Sequence, residues 1–299
     1  MALPRRRALI LVNRKAARGR RSVDDGLHIF DAAGISYDLH LVDRPQSTRE
    51  MIRRDGGAYD LVVIGGGDGT LSHAADALVS IGRPFGILPM GNANDLARTL
   101  GLPTDITEAF RTIALGQQKR IDLARIEDRH FFNVASVGLS VTIAKRLTCD
   151  IKQRWGVIGY LGCAWEAVRS PLLFGTRITC DGVPLELAAI QVSVGNGRYY
   201  GGGMTIVDDA AIDDSRLDAY ALPPLPRWRL IAIVPALRWG THRPLQDICS
   251  LHGTEISIET DRPMPINVDG EVIAKTPAVF RVVPRALSVF VPATASVSG

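Results

Sequence analysis

No apolar run in the 299-residue sequence approaches the ~20 residues that a membrane-spanning helix needs. The first apolar segment, Ala8 to Val12, follows Arg5, Arg6 and Arg7 and is too short for a signal peptide, so it reads as a buried strand. Cysteine is scarce: Cys149, Cys163, Cys180 and Cys249 are scattered, with no two at metal-ligand spacing. Free thiols in a cytoplasmic chain are the simplest account. The six histidines form neither His-x-His nor His-Glu-x-x-His, which argues against a zinc site. There is no internal repeat and no low-complexity linker. Only the tail, Ala293–Gly299, has the composition of a disordered end. The formal charge of +4 is too mild to indicate nucleic acid, and no such partner is expected. What remains is ample for a packed core, since 46% of the residues are hydrophobic, and the length suits one large domain or two ordinary ones.

Three familiar phosphate-binding patterns are missing as well. There is no P-loop ending in Gly-Lys-Ser/Thr, and no protein-kinase catalytic loop or Asp-Phe-Gly signature. The dinucleotide fingerprint fails because Gly65 and Gly67 are not followed by a glycine at residue 70. In their place stands a cluster of Gly65, Gly66, Gly67, Asp68, Gly69 and Thr70, directly after the apolar run Tyr59–Ile64. A strand ending in glycines brings bare backbone N–H groups to the edge of a sheet, with no Cβ to block a phosphate. The helix expected over Thr70–Ile81 directs its N-terminus at the same spot. A carboxylate at Asp68 beside phosphates would need a cation between them. A tight strand-to-helix turn is the alternative reading.

A second element follows. Pro84–Met90 reads as another buried strand and leads into Gly91, Asn92, Ala93, Asn94, Asp95, Leu96, Ala97 and Arg98. Together the two motifs resemble the diacylglycerol kinase catalytic family, in its bacterial branch of soluble lipid kinases. That family pairs Gly-Gly-Asp-Gly-Thr with Pro-x-Gly-Thr-x-Asn-Asp-x-Ala-Arg, and Asn92 stands here for its Thr. NAD kinases and phosphofructokinases share the first motif and lack the second.

The first ~120 residues alternate strand and helix signals, as in a parallel α/β sheet. Strands are expected at Ala8–Asn13, Ser36–Val42, Leu61–Ile64 and Phe85–Met90. Helices are expected from Ser22 to Ala33, and over Thr48–Arg54, Thr70–Ile81, Asn94–Leu100 and Asp105–Leu115, the last capped by Asp105 or Thr104. The turns near 13–19, 65–70 and 91–95 all follow strands, where such sheets bind ligands. From about Ile121 strand-like runs and hairpin turns dominate. Asp181-Gly182 and Asp269-Gly270 are the turn signals, and one helical insertion is expected at Val157–Arg169. Separate strands are expected at Val279–Val283 and Leu287–Val291. The expected plan is a nucleotide-binding α/β domain over 1–122, like phosphofructokinase and NAD kinase, then an antiparallel β-sandwich lipid-substrate domain over 123–292 and a flexible tail over 293–299. The resemblance implies that the last strand, about 285–292, packs back on the first domain, and that the active site lies between the domains.

The resemblance also implies chemistry: transfer of the γ-phosphoryl group of ATP, with Mg2+, to a hydroxyl on a diacylglycerol-like lipid. Asp68 is the candidate metal link, and Asn13, at the end of the first strand, lines the nucleotide. Here the family's Asn-Pro-x-Ser/Ala-Gly becomes Asn13-Arg14-Lys15-Ala16-Ala17, whose cations read either as phosphate partners or as a solvated basic loop. The nucleotide set comprises Asn13, Gly65 to Thr70, Gly91, Asn92, Asn94, Asp95 and Asp122. Helix capping for Asp95 and a surface strand for Asp122 stay open beside it. Asp-Gly-Glu at 269–271 is by itself a hairpin turn; the resemblance makes Glu271 the general base. A structural magnesium is implied near residues 211–218, held by the Asp214 side chain and the carbonyls of Ala211 and Arg216, with Ser215 in place of the usual Gly. Oxygen-only ligands suit a hard cation. The family's glycine-rich loop matches Asn196–Gly203.

A lipid substrate requires contact with a bilayer. From Ala219 to Gln246 there is no acidic residue, while Arg227, Arg229, Arg238 and Arg243 accompany Trp228 and Trp239. Arginine beside tryptophan suits an anionic membrane surface, and a core-packed helix with solvated arginines is the other reading. The expected location is therefore cytoplasmic with transient membrane association, in phospholipid metabolism, and a homodimer is left open. Two rivals stand: an NAD kinase-like enzyme, and a non-catalytic lipid- or nucleotide-binding homologue.

Overall fold

The structure is a computed structural model that describes residues 6–16, 20–139, 141, 173–197, 199–200, 204–205, 211–224 and 249–293. The insertion expected at 157–169 and the Arg/Trp segment at 227–243 lie outside the described residues. The chain forms two compact units. The first takes its residues from 1–123, 212–214 and 283–299, the second from 124–211 and 215–282.

In the first unit the elements run β1 (Arg7–Asn13), α1 (Arg20–Ala32), β2 (Ser36–Val42), α2 (Pro45–Asp55), β3 (Leu61–Gly66), α3 (Asp68–Ile81), β4 (Phe85–Pro89), α4 (Asp95–Thr99), α5 (Ile106–Leu115) and the start of β5 (Gln117–Ile126). The sheet order is β2-β1-β3-β4, all parallel. The inner strands are continuous apolar runs because both of their faces are buried. Ala8, Ile10, Val12, Leu61, Val63 and Leu88 face Phe30 of α1 and Phe110 and Ile113 of α5. The alternate residues Leu9, Leu11, Val62 and Ile64 are equally buried on the other face.

Helix starts depart from local expectation in three places, one of them α3, which begins at Asp68 and not at Thr70. α1 starts at Arg20, two residues before the expected cap Ser22, because arginine is a good helix former and extends the first turn. α2 starts at Pro45, whose fixed φ suits a first helical position, and Thr48 is buried inside it. The cap of α5 is Asp105, which accepts the Glu108 N–H at 2.9 Å.

The second unit is a β-sandwich. Its strands are β6 (Arg129–Phe131), β7 (Val134–Gly138), β8 (Phe174–Cys180), β9 (Val183–Ala189), β10 (Gln191–Gly195), β11 (Tyr199–Tyr200), β12 (Met204–Thr205), β13 (Leu217–Leu222), β14 (Cys249–Gly253), β15 (Glu255–Thr260), β16 (Pro265–Val268), β17 (Glu271–Lys275) and the first part of β18 (Ala278–Val291). One antiparallel sheet has the order β14-β13-β10-β7-β16-β17; facing it are β18-β15-β8-β9. Val137, Val192, Val194, Ala219 and Ile266 of the first sheet share one core with Ile178, Ile256, Ile258 and Phe280 of the second. The outer face of the six-stranded sheet is polar: Asn267, Ser136, Ser193, Tyr220 and Ser250 stand side by side across five strands.

Both Asp-Gly pairs form tight hairpins with positive φ at each residue: +46° and +85° at 181–182, +47° and +99° at 269–270. Each aspartate does more than turn the chain. Asp181 accepts the N–H groups of Thr254 and Glu255, and these hold its carboxyl below the usual carboxylate range. Asp269 accepts the N–H groups of Phe132, Asn133 and Val134 at 3.1, 3.2 and 3.1 Å.

β18 is one continuous strand where two were expected. Pro284 and Arg285 (φ +53°) interrupt its pattern. Asp122 of β5 spans the irregularity by accepting the Arg285 N–H at 2.6 Å. Beyond it Val289 pairs in parallel with Phe85 of β4.

Candidate active site

Three strand ends of the first unit meet at one place. Asn13 closes β1, its Oδ1 accepting the Lys15 N–H at 3.0 Å and its Nδ2 donating to Thr70 Oγ1 at 3.2 Å. Gly65 and Gly66 end β3, Gly67 caps α3 without a side chain, and Asp68 is the first residue of that helix. β4 leads into Gly91 and the loop to α4. The Asn94 carboxamide closes that loop: its Oδ1 accepts the Gly91 N–H at 2.9 Å and its Nδ2 donates to the Gly91 carbonyl at 2.8 Å. Asn94 adopts φ +52°, which asparagine tolerates better than most side chains.

Asp68 joins the two motifs. Its Oδ1 accepts the Leu96 N–H at 3.1 Å, in the first turn of α4. Its Oδ2 carries no hydrogen bond among the described residues. Asp95 is buried, at 4% exposure, in the same turn. Asn92 is exposed on the loop.

The glycines divide by task. A Cβ on Gly91 would stand 2.5 Å from the Gly67 Cα, so these two are fixed by backbone packing against each other. At Gly69 a Cβ would meet nothing within 4 Å, and the residue is exposed at the start of α3. Of this pair of reasons for glycine, only the one at Gly69 leaves space that a ligand can use; the Gly67–Gly91 contact answers to the protein itself.

The remaining nucleotide-set residue, Asp122, lies on β5. It is 1% exposed, which rules out the surface-strand reading. Its N–H donates to the Ile212 carbonyl at 2.8 Å and its Oδ1 accepts the Arg285 N–H at 2.6 Å, which ties the returning strand to β5. Arg14 pairs with Asp43 at 3.3 Å, and Lys15 is exposed. His73, one turn along α3, meets the Gly69 carbonyl through Nδ1 at 2.8 Å and Gln46 through Nε2 at 3.4 Å. Its four-residue spacing from Gly69 is the only local signal.

In the second unit Glu271 is exposed as the first residue of β17, opposite Val268 across the hairpin. The three N–H groups on Asp269 fix that hairpin to the start of β7. The loop 211–216 is shared: Ile212–Asp214 belong to the first unit, Ala211 and Arg216 to the second. Ser215 adopts φ +60° there, the left-handed conformation that glycine would take without strain. Lys119 pairs with Asp213 at 2.9 Å. Among the described residues no group of three or more His, Cys, Asp or Glu side chains is placed to hold a metal, so ligation in this loop would depend on backbone carbonyls with Asp214. Buried Asp218 accepts from His252 Nδ1 at 2.5 Å and lies 3.6 Å from Arg216 Nε, a cluster that the sequence motifs do not announce.

Residues 7–126 match the model of the diacylglycerol kinase catalytic domain, and residues 133–291 match that of the YegS C-terminal NAD kinase beta sandwich-like domain. The chain belongs to the diacylglycerol kinase family. A diacylglycerol kinase of Staphylococcus saprophyticus is 27% identical over 293 residues, covering 96% of this chain and 96% of the relative. An uncharacterized protein of Synechocystis sp. is 27% identical over 269 residues, covering 86% of this chain, which spans 62% of that longer relative. The crystal structure of a diacylglycerol kinase from Bacillus anthracis superposes with a TM-score of 0.80 at 25% identity, covering 97% of this chain and 98% of that one. No helix among the described residues is long and apolar enough to cross a membrane.

Proposed function

We propose that this member of the diacylglycerol kinase family transfers the γ-phosphoryl group of ATP to a lipid hydroxyl. The observation that carries the proposal is Asp68: one oxygen ties the glycine loop to α4, and the other has no hydrogen bond among the described residues, beside the open space at Gly69. The donor set fits magnesium, a hard cation that usually takes only one or two carboxylates and keeps several waters. When bound, the ion neutralises phosphate charge as the phosphoryl group moves. The first turn of α3 presents N–H groups that have no partner within the helix, and its dipole favours the same anion. The Asn13–Thr70 and Asp68–Leu96 bonds hold the loop in place before substrate arrives. Glu271 accepts the proton of the lipid hydroxyl as its oxygen bonds to the γ-phosphorus and the bond to the β–γ bridging oxygen breaks, releasing ADP. In a loose transition state that proton leaves late, so an ordinary carboxylate suffices.

The test is incubation with labelled ATP, magnesium and a panel of bacterial lipids, with NAD as a parallel acceptor. A labelled lipid supports the reading. Label in NADP alone, or in nothing, removes it. Running the lipid arm on neutral and anionic vesicles also tests the peripheral-membrane reading of the Arg/Trp segment; equal activity on both would discard that part.

Gly69→Ala separates ligand space from fold. The new Cβ meets no protein atom, and alanine favours a helix over glycine by ~1 kcal/mol. Thermal stability should hold or rise slightly, while ATP affinity falls about tenfold or more. Normal ATP affinity in this variant would mean that phosphate does not approach Gly69.

A further inference from the structure

Asn133 stands at the end of the six-stranded sheet that also presents Glu271, and both residues belong to the second unit. Its backbone is committed: the N–H donates to Asp269 Oδ1 at 3.2 Å, and the carbonyl accepts the Asn196 N–H at 3.0 Å. Its neighbours are held as firmly. The Phe132 carbonyl accepts from Asn196 Nδ2 at 3.2 Å, and the Val134 carbonyl accepts the Asp269 N–H at 3.0 Å. The side chain differs. Asn133 is only 5% exposed, yet its Oδ1 is buried with no hydrogen-bond partner among the described residues. Buried polar atoms are rarely left unserved, because they give up water and receive nothing in return. Leucine has a similar volume and would avoid that loss. A buried carboxamide on a firmly held backbone, with hydrogen-bonding capacity in reserve, is how a recognising group is built.

We propose that Asn133 binds the acceptor lipid through its carboxamide, at an oxygen next to the hydroxyl that Glu271 deprotonates. This rests on the kinase reading of Glu271. The two are linked through one hairpin: Asp269, whose carboxylate receives the Asn133 N–H, lies two residues before Glu271, and Val268 pairs with both Ala135 and Glu271. A carboxamide both donates and accepts. It therefore suits an ester carbonyl or a second hydroxyl on the carbon beside the reacting one. A 1,2-diacylglycerol carries such an oxygen; a simple long-chain alcohol does not. Asn133 is thus a specificity residue that favours glycerol-type acceptors over plain alcohols.

The experiment compares wild type, Asn133→Leu and Asn133→Ala in thermal melting, in ATP binding, and in binding and turnover of 1,2-dioctanoylglycerol and of dodecanol. Asn133→Leu should melt at or above the wild-type temperature. Its affinity for dioctanoylglycerol should fall about tenfold, the worth of roughly one good hydrogen bond, with ATP and dodecanol affinities unchanged. Binding decides independently of turnover. If wild type phosphorylates no lipid but loses dioctanoylglycerol binding on Asn133→Leu, the recognition stands and the kinase reading falls. Equal dioctanoylglycerol binding in all three proteins, no binding by wild type, or collapse of the fold in both variants would each overturn the assignment.

Discussion

Asp68→Asn is expected to abolish nearly all phosphoryl transfer while the protein stays folded. Asparagine keeps an Oδ1 that can accept the Leu96 N–H, so the bond between the glycine loop and α4 survives. What disappears is the negative charge and the second carboxylate oxygen, the one that no described residue engages. A cation held there stabilises charge that develops only as the phosphoryl group leaves, and losing it should remove several kcal/mol of transition-state stabilisation, or on the order of 10³-fold in rate. The measurement is kcat with ATP and magnesium on the best lipid of the panel, beside a melting curve. A folded variant with near-normal turnover would take the catalytic role away from this loop.

The second large effect is expected at Glu271. Glu271→Gln should lower kcat about 10²- to 10⁴-fold, the range for losing a general base, with the KM for ATP little changed. The substitution is isosteric at the first position of β17, and the three N–H groups on Asp269 fix the hairpin, so the fold should be unaffected. If weaker ATP binding is the main result, Glu271 is not the base.

Much of the first unit is readable locally. Short apolar runs ending in glycine or asparagine mark buried parallel strands, and the two motifs stand where β3 and β4 end. The turns of the β-sandwich are readable for the same reason, since Asp-Gly is a statement about two φ angles. What local pattern does not carry is the reach of a side chain across the fold. Asp269 looks like a turn residue because its three N–H partners lie more than 130 residues earlier in the chain. Asp122 looks like a surface residue because the Arg285 N–H that its buried carboxylate accepts lies far along the sequence. The break of pattern at Pro284 and Arg285 suggests two strands, and only that bond shows why one strand runs through. The glycine motif was readable as a motif, but two of the reasons behind it were not. Gly67 and Gly91 are glycines because they touch each other, which no spacing within either motif reveals.

The return of the chain along β18 sets an order for synthesis. A ribosome makes the α/β residues first, at roughly 5–20 residues per second, and domains usually fold as they emerge. Here the first unit cannot be finished that way. Phe85 waits for Val289, and the carboxylate of Asp122 waits for the Arg285 N–H, until almost the whole β-sandwich has been translated. The unit that carries Asp68 and the glycine loop is begun first and completed last. A ribosome stalled after the sandwich but before residue 285 would therefore hold a chain whose loop is present in sequence and whose supporting sheet is one strand short.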